Sequence, residues 1–161
     1  MKLFLVMSDS HGDIGCIKKI MGEYPAIQSI IHLGDYFKDA VILKEYFPEK
    51  EYFMVPGNCD SFNSGTSSET VLEVEGLRIL LTHGNRYGVK TGLESLRSKA
   101  TAGNIDVVLY GHTHIPLITK TRDCLIVNPG SAGYPRYDGP STYALLEIGG
   151  GRAEARIMEV L

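Results

Sequence analysis

The fold is decided near the amino terminus by the sequence LFLVMSDSHG, residues 3–12. Five apolar residues open this stretch, which is the length of a buried strand, and polar residues that can bind a metal follow at once. The next segment, residues 13–22, carries three isoleucines at the spacing of one helix face. The order of strand, polar loop and helix predicts an α/β protein with a parallel sheet and right-handed crossovers.

The rest of the chain first repeats this order and then changes to hairpins. Strands are expected over residues 29–33 and 51–55, with a helix over 38–47 between them. The remaining predicted elements are hairpins over 70–81, 117–127 and 142–160, a helix over 90–102 and a strand over 107–110. This pattern fits one mixed sheet, or two packed sheets flanked by helices. Because no linker interrupts the 161 residues, a single domain over 1–161 is expected.

Composition and charge exclude several classes of protein. The 16 basic and 19 acidic residues give a net charge of −3, and no basic block supports binding to nucleic acid or to an anionic membrane. No apolar run approaches the roughly 18 residues of a membrane span, and the first apolar run is too short for a signal peptide. We therefore expect a cytoplasmic protein. The three cysteines are far apart, so neither a disulfide framework nor a structural zinc site is expected.

Residues that can bind a metal follow five of the predicted strands. They are Asp9 and His11, Asp35, Asn58, His83, and His112 with His114. Taken singly, each has an ordinary interpretation: Gly34-Asp35 is typical of a turn, Gly57-Asn58 of a tight hairpin, and a lone histidine of a structural role. Together they are expected at one sheet edge, where open α/β sheets bind their ligands. Seven nitrogen and oxygen ligands suit two divalent ions about 3.5–4 Å apart, whereas His32 is expected in the core or behind the ligands.

Five motifs, in order along the chain, also carry a family resemblance. They are Asp9-Ser10-His11-Gly12, Gly34-Asp35, Gly57-Asn58-Cys59-Asp60, His83 after a strand, and Gly111-His112-Thr113-His114. This set resembles the calcineurin-like metallophosphoesterase superfamily, and in particular its small single-domain phosphodiesterase branch, the YfcE-like proteins. The resemblance implies a four-layer αββα sandwich, in which two mixed β-sheets pack face to face between flanking helices.

The resemblance also implies an assignment of the site. One metal would take Asp9, His11 and His114, the other would take Asn58, His83 and His112, and Asp35 would bridge both. Asp35, Asn58 and His112 are further expected to be catalytic. The expected cofactors are two divalent ions, Mn²⁺ first, with Fe²⁺, Zn²⁺ and Ni²⁺ as alternatives. The implied reaction is hydrolysis of a small-molecule phosphodiester by a hydroxide that bridges the two ions. The oligomeric state stays open, a homo-oligomer included.

Two further residues are expected to bind substrate. Arg136 can form a fork of hydrogen bonds to a phosphate, although a surface arginine in a loop is an equal alternative. Cys59 stands where many superfamily members have histidine. Because a thiol is neutral near pH 7, we expect low activity on unactivated monoesters and higher activity on diesters or aryl esters. Substrate specificity is expected in the loops over residues 36–39, 61–68, 86–88 and 134–140.

Two alternatives accompany this interpretation. The retromer subunit related to the family uses the fold as a protein-binding scaffold with an impaired metal site, but all seven ligand positions here carry competent residues, which favours an enzyme. The stretch GNRYGVKT, residues 84–91, is similar to a phosphate-binding loop. Val89 stands where that loop needs its second glycine, so no nucleotide site is expected, and Lys90 is expected to begin a helix.

Overall fold

The computed structural model of the protein describes residues 1–61 and 67–161. In these two ranges the strands are β1 (Lys2–Met7), β2 (Ser29–His32), β3 (Glu51–Met54), β4 (Glu69–Val74), β5 (Leu77–Thr82), β6 (Val107–Leu109), β7 (Leu117–Lys120), β8 (Leu125–Asn128), β9 (Thr142–Gly149) and β10 (Arg152–Glu159). The α-helices are α1 (Ile14–Glu23), α2 (Phe37–Tyr46) and α3 (Glu94–Gly103). No helix of the described ranges is long and apolar enough to cross a membrane.

The strands form two mixed sheets of five strands each. The first sheet has the order β10-β9-β1-β2-β3, and the second has the order β4-β5-β6-β8-β7. β1, β2 and β3 run parallel, as the strand–helix–strand pattern predicts, and β9 and β10 add an antiparallel hairpin beside β1. In the second sheet β5, β6 and β8 run parallel, whereas β4 and β7 are antiparallel edge strands.

Three apolar layers hold the sheets and helices together. Between the sheets, Phe4 and Val6 of β1 share a buried core with residues of β5 and β6. The alternate residues of β1, Leu5 and Met7, face the other way and pack under α1 and α2. α3 covers the outer face of the second sheet through Leu96 and its neighbours. Because both faces of β1 are buried, its sequence is a continuous apolar run. The four-layer αββα architecture is confirmed.

The largest error in the predicted elements concerns the third helix, which was expected to begin at Lys90. The chain instead forms a short 3-10 helix over Asn85–Tyr87 and a turn, and α3 begins only at Glu94. The backbone N–H and the hydroxyl of Thr91 both donate to the carbonyl of Gly88 at 2.9 Å, which closes a turn over residues 88–91, and Gly92, a residue with low helix propensity, follows before α3. As a result, Lys90 lies in the turn before α3.

Candidate metal centre

The structure gathers the predicted ligands into two overlapping groups. The first contains Asp9, His11, Asp35 and His114, and the second contains Asp35, His83 and His112; within each group the potential ligand atoms lie within 4.8 Å of one another. Asp35 belongs to both. Its Oδ2 is 3.6 Å from Nε2 of His11, and its Oδ1 is 3.4 Å from Nε2 of His83. One carboxylate therefore faces both groups.

Asn58 completes the set of seven predicted side chains. Its Oδ1 lies 3.1 Å from Nε2 of His83, on the side of the second group. The loop after β3 brings it there, and the backbone N–H of Cys59 in the same loop donates to Asp35 Oδ1 at 2.9 Å. Residues separated by more than a hundred positions in sequence thus meet at the carboxyl ends of the strands, where ligand sites of α/β sheets lie.

The backbone at the site is locally unusual. Asp9, His11, Asp35, His112 and His114 all have positive φ values, between +47° and +70°. For residues other than glycine this conformation costs on the order of 1 kcal/mol each, and it persists only where the surrounding structure enforces it. Such strain is concentrated at functional sites, and here it falls on five of the seven candidate ligands.

Two of the imidazoles are oriented by backbone carbonyls. His83 Nδ1–H donates to the carbonyl of Leu33 at 2.7 Å, and His114 Nδ1–H donates to that of Tyr134 at 2.5 Å. In the neutral rings Nε2 is then a free acceptor that faces the carboxylates. This is the arrangement in which proteins present histidine to a metal.

Asp9 carries the clearest sign of a cation-binding site. Its Oδ2 accepts hydrogen bonds from Ser8 Oγ at 2.6 Å and from the backbone N–H of His112 at 3.0 Å. Its Oδ1 is the one buried side-chain polar atom without a hydrogen bond in the described part of the chain. Nε2 of His114 lies 3.1 Å from it, and both atoms are metal-ligand types. A carboxylate oxygen and an acceptor nitrogen at this separation fit a shared cation, so the residues present fit a metal.

The electrostatics of the site favour positive charge. Burial raises the pKa of Asp9 and of Asp35, but the nearby histidines outweigh it and hold both pKa values below the usual aspartate range. Burial lowers the pKa of His83 and of His114, yet the carboxylates raise both above the ordinary histidine value. Burial, His83 and Lys90 together lower the pKa of His112 to about 4. The buried carboxylates thus favour positive charge at the site, and a bound divalent metal ion would provide it.

The family model for the calcineurin-like phosphoesterase superfamily domain matches residues 1–151. The chain belongs to this superfamily.

Relatives and solved structures of the superfamily agree with the match. The chain is 33% identical over 157 residues to the probable metallophosphoesterase YsnB of Bacillus subtilis, covering 96% of this chain and 89% of that protein. It is 28% identical over 170 residues to the phosphodiesterase YfcE of Escherichia coli, covering 91% and 88%.

The crystal structure of a predicted phosphoesterase from Streptococcus pneumoniae superposes with a TM-score of 0.82 at 28% identity, covering 98% of this chain and 89% of that one. Vacuolar protein sorting 29 of Cryptosporidium parvum shares the fold, with a TM-score of 0.75 at 19% identity and coverage of 98% and 97%. The superfamily implies divalent metals, and the relatives named metallophosphoesterase and phosphodiesterase support a phosphoesterase.

The metallophosphoesterase site opens into a cavity of about 420 Å³, which we call the metal pocket. Its lining includes five of the seven candidate ligands, all except Asp9 and His83, together with Cys59, Lys90, Tyr134 and Arg136. Both predicted substrate-binding residues therefore line the pocket.

Burial and the nearby Asp35 raise the pKa of the Cys59 thiol to about 11, so the thiol is neutral. The three cysteines are free. Part of one predicted specificity loop, residues 62–66 of 61–68, lies outside the described residues.

Sequence reasoning missed several residues that support the site. Lys90 was expected to begin a helix but lines the metal pocket. Behind the ligands, fully buried His32 accepts from the backbone N–H of Gly34 and pairs with Ser10 Oγ at 2.9 Å. Ser10 Oγ–H in turn donates to Asp39 at 2.7 Å. The prediction that His32 lies in the core is confirmed. Ser10 stands within the first motif and Asp39 within a predicted specificity loop, but their hydrogen bonds behind the ligands were not predicted.

Proposed function

We propose that this protein is a phosphodiesterase that hydrolyses its substrate with two divalent metal ions. The observation that carries the proposal is Asp35, whose two carboxylate oxygens face two separate groups of candidate ligands. In the proposal Asp9, His11 and His114 would hold one ion, and Asn58, His83 and His112 the other, with Asp35 shared. The ligands come from both sheets, which supports treating residues 1–161 as one domain.

The chain's own residues have defined roles in this reaction. Bound ions would supply hydroxide near neutral pH and offset the charge on the phosphoryl oxygens. Asp35, Asn58 and His112 are the proposed catalytic ligands. Leu33 and Tyr134, through their carbonyls, orient the imidazoles of His83 and His114. Arg136, and Lys90 beside it, would bind the phosphate oxygens that the ions leave free.

The donor set also bears on the metal. The three ligand types present, imidazole, carboxylate and amide oxygen, suit first-row divalent ions, and no cysteine belongs to either ligand group. We propose Mn²⁺ as the working metal, with Fe²⁺, Zn²⁺ and Ni²⁺ as alternatives that the same donors accommodate. Anomalous scattering from crystals grown with each ion would identify the preferred one.

The central experiment is a manganese titration of the metal-free protein with bis(4-nitrophenyl) phosphate as substrate. We expect hydrolysis to rise with added Mn²⁺ and to level off at two ions per chain, counted by elemental analysis after desalting. Chelation should return the rate to the background. If the protein bound no manganese and hydrolysed no diester, the result would favour the scaffold alternative. The structural likeness to vacuolar protein sorting 29 suggests that alternative, but the complete set of candidate ligands does not support it.

Cys59 is expected to set the preference between diesters and monoesters. A neutral thiol is a poor proton donor or cationic partner for a leaving alkoxide, whereas a general acid contributes about 10²–10⁴-fold. We expect Cys59→His to increase the rate on an alkyl monoester such as glycerol 2-phosphate, relative to the rate on a diester, by about tenfold or more. Cys59→Ser, which keeps a small neutral side chain, serves as the control. An unchanged ratio in Cys59→His would refute this role.

A further inference from the structure

A second cavity, of about 530 Å³, adjoins the metal pocket. We name it the apolar chamber after its apolar lining residues, which are Val89, Leu93, Tyr110, Ile115, Leu117 and Tyr137. Lys90 and Arg136 line the apolar chamber and also the metal pocket. The two cavities therefore meet at two cationic side chains.

The apolar chamber has a fixed floor and an open rim. Val89 and Tyr110 are buried, and they pack with Leu93 into the core between α3 and the second sheet. Ile115, Leu117 and Tyr137 are large apolar side chains exposed at the rim. Apolar side chains that gather around a concave surface mark a binding site more often than singly exposed ones do.

The two cations at the junction, Lys90 and Arg136, are exposed and available to bind an anion. Neither Lys90 nor Arg136 forms an ion pair with a carboxylate among residues 1–61 and 67–161. A phosphodiester bound in the metal pocket would bring its negative charge to this position. A group esterified to that phosphate would then lie at the entrance of the apolar chamber.

We infer that the apolar chamber binds an apolar, ring-containing group of the phosphodiester substrate while Lys90 and Arg136 contact its phosphate. The inference rests on the proposed function, because it takes the phosphate to lie in the metal pocket. The space is sufficient, since a cavity of about 150 Å³ already admits a benzene ring. A single diester molecule satisfies both the charged junction and the apolar walls, which a purely apolar protein segment would not.

The test compares two ligands with a carbon–phosphorus bond that cannot be hydrolysed. Methylphosphonate and 1-naphthylmethylphosphonate carry the same charged group, and only the second has an apolar arm. Their dissociation constants for the manganese-loaded protein are measured by calorimetry. We expect the naphthyl compound to bind roughly tenfold tighter or more, the scale on which apolar pockets discriminate.

A matched pair of variants locates the effect. Leu117 and Ile118 are neighbours on β7 and equally exposed, at 38%, but only Leu117 is among the residues that line the apolar chamber. Leu117→Asp should reduce the ratio of the two dissociation constants to near one, while Ile118→Asp should keep the wild-type ratio. Any repulsion of the phosphonate by the new carboxylate affects both ligands and cancels in the ratio.

The outcomes separate this inference from the proposed function. Equal binding of the two phosphonates by the wild type, or a ratio that Leu117→Asp leaves unchanged, would overturn the role of the apolar chamber. Manganese-dependent diester hydrolysis by the same preparation would then leave the proposed function standing. Failure to bind either phosphonate would also overturn the role of the apolar chamber, and only the absence of manganese-dependent diester hydrolysis as well would overturn the proposed function.

Discussion

Replacing Asp35 with asparagine is expected to lower manganese-dependent diester hydrolysis by about a thousandfold, because the change weakens both metal positions at once. Asp9 and Asp35 supply the only negative charges among the seven candidate ligands. An amide offers a single acceptor oxygen, and its NH₂ group would face one of the two imidazoles that Asp35 now faces. Metal analysis of Asp35→Asn should therefore give fewer than two ions per chain.

The same substitution is expected to leave the fold intact. Asp35 Oδ1 accepts the backbone N–H of Cys59 at 2.9 Å, a bond that the amide oxygen of asparagine retains. Thermal unfolding of the metal-free variant should thus remain cooperative, at a midpoint lowered by the lost attraction between the Asp35 carboxylate and His83. Asp123→Asn, in the exposed turn between β7 and β8, is the matched control and should keep full activity. Hydrolysis by Asp35→Asn at the wild-type rate would refute the shared-carboxylate mechanism.

Much of the metal centre could be predicted because its ligands follow strands. An apolar run shows where a strand ends, and parallel strands present their carboxyl ends at the same edge. Asp9, Asp35 and His83 each stand within three residues of such an end. The two-residue spacing of His112 and His114 after a predicted strand likewise indicated a pair of metal ligands. The sequence alone left open the direction of each side chain, and five of the seven candidate ligands adopt positive φ values that no motif predicted.

The supporting residues could not be predicted, for a physical reason. The groups that orient His83 and His114 are backbone carbonyls, which every residue possesses, so Leu33 and Tyr134 leave no signal in the sequence. Lys90 resembled the start of a helix, and only the glycine turn before it brings its side chain to the metal pocket. The apolar chamber is assembled from three separate segments, whose meeting depends on tertiary structure.

Gly34→Ala is the second substitution for which we expect a large effect. It should lower the free energy of unfolding by about 2–5 kcal/mol. Gly34 has a φ of +95°, and a Cβ built there would lie 2.8 Å from the backbone atoms Cα of Gly57 and C of Pro56. The loop after β2 and the loop after β3 thus touch backbone to backbone. Since backbone atoms cannot rotate away as a side chain can, the loops would have to separate.

Gly76→Ala is the control that separates crowding from backbone strain. Gly76, in the turn between β4 and β5, has a similar φ of +82°, but a Cβ there meets nothing within 4 Å. Gly76→Ala should lower the free energy of unfolding, measured with urea, by only the strain of a left-handed alanine, about 1–2 kcal/mol. Equal losses in the two variants would show that the contact between Gly34 and Gly57 is unimportant.

The same contact explains why a glycine precedes two of the candidate ligands. Alone, Gly57-Asn58 was typical of a tight hairpin, but Gly57 is not among the glycines with positive φ, and a Cβ there would collide with Asp35. The missing side chains let Asp35 and Asn58 lie beside each other, and the Gly34 carbonyl also accepts the N–H of Asp9 at 2.9 Å. Gly34→Ala should therefore weaken manganese binding as well as the fold, whereas Gly76→Ala should leave the manganese affinity at the wild-type value.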